Sequence, residues 1–207
     1  DAEVTGDTDV GILVGNNWGE ILNSTASGIV NGGEDSTGGL VGCNVGKIEN
    51  CGFIGDVSST GYSVGGLVGY NSGTVDTSYS SGNVTGLGDV GGLAGCNDEG
   101  TINNSYAMSK VYGGGNISYY GTGGLAGYSY GVITNSYSAS IVTSNDNSGT
   151  LVGYNDGDII DSYYDQQMAG QVPAVGYGNE DGVVGLDKDE MKQSSSFSGW
   201  DFNTIWT

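Results

Sequence analysis

The chain has 207 residues, 42 of them glycine and one proline, and a formal charge of −20 from 24 Asp and Glu against four lysines. A field of that sign repels phosphate backbones and anionic lipid headgroups, which argues against nucleic-acid binding and membrane association. Histidine and arginine are both missing, so the commonest general base and metal ligand is lost, and no apolar run has the length of a membrane-spanning helix.

Residues 1 to 9 are short and polar. With no initiator Met and no signal peptide, they read as the start of a mature or excised fragment. A recurring pattern follows. It is fullest as Gly65-Gly66-Leu67-Val68-Gly69-Tyr70-Asn71 and returns in edited form around Leu13, Leu40, Leu93, Leu125 and Leu151. The six leucines are separated by 27, 27, 26, 32 and 26 residues. A near-constant period of this size marks a stacked-repeat architecture.

Each repeat divides into three short apolar segments, placed in the third copy at 66–70, 74–80 and 83–85. The first ends in an Asn-x-Gly turn (Asn44-Val45-Gly46, Asn71-Ser72-Gly73, Asn155-Asp156-Gly157), where asparagine and glycine tolerate left-handed backbone angles. The second carries Ile102-Asn103-Asn104-Ser105-Tyr106 and its equivalents. The third centres on Val57, Val84, Val111 and Ile141. None has the length or the 3.6-residue period of a helix. Three strands per coil predict an all-β, single-stranded parallel β-helix of about six coils. Right-handed winding follows by analogy with parallel crossovers. The six leucines should fill one inward column.

The longest interval contains an insertion around 112–120 that should bulge as a loop. Cys43 and Cys96 sit two coils apart, too far for a disulfide, so Cys43, Cys51 and Cys96 read as small thiols. After Tyr163 the repeat stops. Residues 166–207 read as a C-terminal cap over the open end of a repeat domain spanning 1–165. Asp187 and Glu190 resemble a capping box, which predicts a short helix to about Gln193.

The double glycine, leucine and terminal asparagine, followed by Gly-x-Ile-x-Asn-Ser-Tyr, resemble the GLUG motif over roughly residues 10 to 165. The tail resembles the segment that often closes such arrays, through Ser162-Tyr163-Tyr164-Asp165 and Gly199-Trp200-Asp201-Phe202. That resemblance implies an extracellular, surface-displayed solenoid of a larger secreted protein, with no catalytic residues and no cofactor.

Four constellations could carry chemistry. Tyr79, Tyr106, Tyr137 and Tyr163 share one repeat position, and Tyr70, Tyr128 and Tyr154 another; stacked rings of this kind could bind sugar or brace the solenoid. Tyr119 and Tyr120 in the inserted loop would join them. Asp156, Asp158 and Asp161 could offer oxygen ligands to Ca²⁺ or form a solvated acidic face. Glu49 and Asp76 occupy matching positions on adjacent coils, the arrangement a carboxylate-pair glycosidase would need. Asn23, Asn83, Asn103 and Asn116 lie in glycosylation sequons. The sequence therefore predicts a non-enzymatic module acting in adhesion or as a rigid spacer. Its partner would be a glycan or protein of a host or neighbouring cell. A carbohydrate-binding solenoid and a glycosidase are the alternatives.

Overall fold

The computed structural model describes residues 2–115, 119–145 and 147–206. It is an all-β parallel solenoid of about six turns. Each full coil has four strands rather than the expected three, the last of them split in the fifth coil into Tyr137–Ser138 and Ile141–Ser144. In the third they are Tyr62–Gly65, Val68–Asn71, Thr74–Asp76 and Tyr79–Gly86. The extra strand precedes the motif, and the motif leucine sits at the bend between the first two. Equivalent strands of successive coils pair in parallel and in register, as Val68 does with Val41 on one side and Ala94 on the other. Among the described residues, four parallel sheets of nine, seven, six and five strands result.

Glycine is needed at the bend because backbone from the neighbouring coil lies against it. A Cβ on Gly66 would stand 2.0 Å from the Gly92 carbonyl oxygen, and one on Gly65 2.6 Å from the Gly95 amide nitrogen. Thr150 replaces the second glycine in the sixth coil, where its amide and hydroxyl instead donate to the Pro173 carbonyl of the non-repetitive segment.

The core is a set of self-stacking columns. Leu40, Leu67, Leu93, Leu125 and Leu151 are fully buried, as are Ile48, Val75, Ile102 and Ile133 from the third strand of each coil. Two expected members fall outside. Leu13 keeps the register, its amide donating to the Leu40 carbonyl, yet is 49% exposed because no coil lies on its far side. Ile141 pairs with Lys110 and faces solvent, and it is Val142 that aligns with Val111 and turns inward.

The motif asparagine is also placed differently from expectation. Asn44, Asn71, Asn97 and Asn155 end a strand, are buried, and do not adopt positive φ. Asn17 donates its amide to Asn44 Oδ1 (2.7 Å), Asn44 to Asn71 (2.8 Å) and Asn71 to Asn97 (2.7 Å). The ladder continues to Ser129. The left-handed corner lies one strand later, at Asn23, Asn50, Thr77, Asn104, Asn135 and Asp161, with φ between 44° and 53°. A serine ladder follows it: Ser105 Oγ accepts from the Ser78 amide, and Ser136 Oγ from the Ser105 amide. Cys51 takes a place in that column, its thiol donating to the Glu49 carbonyl. All three cysteines are free thiols.

The tail first extends the sheets. Val175–Gly178 pairs with Val152–Asn155, and Val183–Leu186 with Ser162–Asp165. A helix at Gln166–Ala169 capped by Asp165 was not anticipated. Asp187 and Glu190 do form reciprocal capping bonds, but they open a three-residue 3₁₀ turn, Glu190–Lys192. The aromatic end packs Phe197 against Leu186 of the last strand and then turns back along the side of the solenoid, where Trp206 reaches Tyr137 and Tyr106.

Two substitutions test these columns. Leu67→Ala should cost about 2–5 kcal/mol in urea unfolding, whereas Leu13→Ala should cost under about 1 kcal/mol. Asn71→Ala should cost about 2–4 kcal/mol, because it leaves the buried Asn97 Oδ1 without its donor and takes one of three acceptors from the Asn44 amide.

Candidate functional site

The side face where the tail lies is built from the corner outward. The left-handed residue turns the chain, the serine after it is drawn into the ladder, and the next residue is a tyrosine in four coils, opening an eight-residue strand at Tyr79 and Tyr106. Registered pairing sets Tyr79 beside Tyr106, Tyr106 beside Tyr137 and Tyr137 beside Tyr163. Tyr79 and Tyr106 stack at 5.4 Å and 12°, and Tyr106 and Tyr137 at 5.1 Å and 6°. A face-to-face column uses its flat faces on itself and shows solvent mainly its edges. Tyr79, at the end, rests over Gly52, where a Cβ would lie 2.4 Å from its ring.

Tyr163 leaves the stack. It is 2% exposed, packs edge-on against Phe197 and Trp200, and its hydroxyl accepts from the Ser198 amide. The sequence-based expectation of a four-ring ligand platform is therefore corrected at this position, where the tail covers the ring. Trp200 also packs on Tyr137 and donates its indole N–H to the Asp161 carbonyl (2.9 Å). Trp206 stacks on Trp200 at 4.1 Å and reaches Tyr137 and Tyr106 at 5.7 and 6.2 Å. Burial holds the Tyr137 hydroxyl up at about 12. Tyr163, Leu186 and Phe197 form an apolar cluster separate from the solenoid core.

Beyond the last tail contacts the corner column reopens. Thr77, Asn104, Tyr106, Tyr137, Ile205 and Trp206 line a cleft of about 340 Å³. A second cleft, of about 440 Å³, shares Thr77 and Ile205 with it and lies beside Asn23, Asn50 and Thr204. Nothing periodic in the sequence marks the return of the tail that brings Trp206 here.

The other candidates disperse. Tyr70 and Tyr128 are separated in their column by Cys96, and Tyr70 donates to Asp98. Tyr128, Tyr154 and the unanticipated Tyr177 stay within 5.5 Å of their neighbours. Tyr119 is 79% exposed, whereas Tyr120 stacks on Tyr62 at 4.9 Å. Asn116, with the centre of that insertion, lies outside the described residues. Asn23 and Asn83 are exposed and Asn103 half-buried.

Asp156 and Asp158 line an open groove with Glu99, while Asp161 sits at the corner under Trp200, so the proposed calcium trio does not converge. Among the described residues no group of three acidic or cysteine side chains does. Glu49 and Asp76 are register partners, but Glu49 pairs with Lys47 at 2.5 Å. Asp76 Oδ1 accepts from Thr77, Asn103 and Asn104.

One buried carboxyl went unnoticed in the sequence. Asp89 is buried and accepts the amide of Gly121, just beyond the insertion, at 2.9 Å. Desolvation outweighs that bond and pushes it up to about 7. Among the described residues no helix is long and apolar enough to cross a membrane.

A family model described as the GLUG motif matches residues 33–58 and 60–85, in agreement with the resemblance drawn from the sequence. The chain thus carries at least two GLUG motifs, in its second and third coils. No curated protein and no solved structure matches it.

A carboxyl raised on folding favours the folded state when protonated. The Asp89 contribution is complete below about pH 4 and is lost as pH rises through about 7. Asp89→Asn, which keeps an acceptor for Gly121, should unfold at the same temperature as the parent near pH 4. Near pH 8 it should be more stable by on the order of 4 kcal/mol. A difference that does not grow with pH would contradict the assignment.

Proposed function

We propose that this GLUG-motif chain is a non-enzymatic solenoid module of an extracellular surface protein, setting distance and presenting its side faces for adhesion. The observation that carries this reading is the consumption of polar side chains by the stack. The motif asparagines, the serines after the corner, Asp76 and Glu49 are all satisfied by neighbouring coils or by their own coil. What remains is a stiff body, about 30 Å long for six coils at about 4.8 Å each, whose repeats give rigidity and whose surface is left for contact. Strong negative charge keeps such a body soluble and limits self-association. The tyrosine stack supports bracing over display, since its faces are turned on one another.

Antibody raised against the protein should label intact producing cells, and brief protease treatment of those cells should remove the label. Labelling seen only after permeabilisation would sink the surface assignment. Sustained hydrolysis of any polysaccharide, lost in Asp76→Asn, would overturn the non-enzymatic reading.

A further inference from the structure

We propose that the outward face of the nine-stranded sheet pairs with the same face of a second copy of this chain, the two solenoids lying antiparallel. The pairing stands on the face alone. Only its purpose, contact between modules projecting from facing surfaces, rests on the surface-module reading.

Strand register makes the face self-complementary. One outward column runs Ile29, Asp56, Asn83, Lys110, Ile141 from the first coil to the fifth. It is a palindrome about Asn83, with apolar residues at its ends and opposite charges between. A two-fold axis in the plane of contact, directed along the strands through Asn83, lays the column on itself with the coil order reversed. Asp56 of each copy then meets Lys110 of the other, and Ile29 meets Ile141. The next column obeys the same axis, because Ile54 and Met108 lie one coil to either side of Ser81. A two-fold interface requires this reciprocity of contacts.

Shape follows the same symmetry. Ile29, Ile54, Met108 and Ile141 are between 45% and 55% exposed. Between the two columns run Gly28, Gly55 and Gly82, where a Cβ would stand 1.9 to 2.0 Å from a carbonyl oxygen of the neighbouring strand. The floor is therefore bare and the face is grooved. A groove of about 430 Å³ lies beside Ile29, Ile54 and Asp56, and one of about 390 Å³ beside Met108, Lys110 and Ile141. The axis sets each groove over the other. Trp206 of the tail stands by Tyr106 and Tyr137, in the fourth and fifth coils. Opposite them the axis brings Gly52 and Thr25, the coils in which that column carries no ring.

A net charge of −20 opposes any self-contact that is not matched locally. Over these five coils the outward columns carry two charges, Asp56 and Lys110, and carboxylates elsewhere are screened beyond about 8 Å at physiological salt. Lys110 makes no ion pair among the described residues, and Asp56 is steadied by the Asn83 amide at 2.6 Å. Five coils at about 4.8 Å and eight strand residues at about 3.3 Å give a footprint of roughly 600 Å² per copy. That is the low end for a specific complex, which sets Kd on the order of 10 µM.

Sedimentation velocity of the whole chain in about 0.15 M NaCl tests the pairing. The parent should be monomeric at about 1 µM and mainly dimeric at about 100 µM. Lys110→Asp alone, or Asp56→Lys alone, sets like charges against each other at both pairs and should weaken dimerisation at least about a hundredfold. An equimolar mixture of the two single variants restores both opposite-charge pairs and should dimerise at about 100 µM, as should the double variant. Recovery in the mixture also shows that each single variant is folded. A parent that stays monomeric at that concentration overturns the proposal, and so does either single variant that dimerises as the parent does. A mixture that remains monomeric overturns it as well. Those failures leave the cell-surface labelling result untouched, so the two readings fall separately.

Discussion

Everything in this molecule answers to one constraint: a residue at a given position must accept the corresponding residue of the next coil at about 4.8 Å. Backbone ladders impose that spacing, and side chains then sort by whether they stack on their own kind. Leucine and isoleucine do so by dispersion and exclusion of water. Asparagine does so because one end of its amide donates and the other accepts. Tyrosine does so through its flat ring. Carboxylates cannot, and where Glu49 and Asp76 are brought together the chain supplies Lys47 on one side and Asn103 with Asn104 on the other.

The same constraint explains which parts of the fold were legible in the sequence. Period, parallel pairing and the identity of the core leucines follow from repetition alone, because registered stacking turns a recurring letter into a column. Finer geometry does not follow so directly. The motif asparagine and the corner asparagine are the same residue type, and only the structure separates the buried ladder at Asn44 and Asn71 from the left-handed bend at Asn50 and Asn104. Ile141 and Val142 are adjacent β-branched residues, and a one-residue choice of register decides which faces inward. Leu13 carries the right letter in a coil that has a neighbour on one side only.

The candidate site was less legible because it depends on a contact without a repeat. The tyrosines of the column could be named from spacing, but their burial is set by Phe197, Trp200 and Trp206, whose route is not periodic. A column of rings also reads as a row of platforms until the interplanar angles show that the rings face each other. Asp89 escaped notice for a related reason: its environment comes from the segment beyond the insertion, through Gly121.

The insertion between the fourth and fifth leucines has a consequence for folding. Coil contacts join residues a nearly fixed distance apart in the chain, however many coils there are, so each added coil closes a loop of the same size. Lengthening one such loop from 27 to 32 residues raises its closure entropy cost by only about 0.15 kcal/mol. Assembly can thus run past the insertion as easily as along any regular coil, and that stretch of chain is free to vary in sequence and length without disturbing the order in which the solenoid winds.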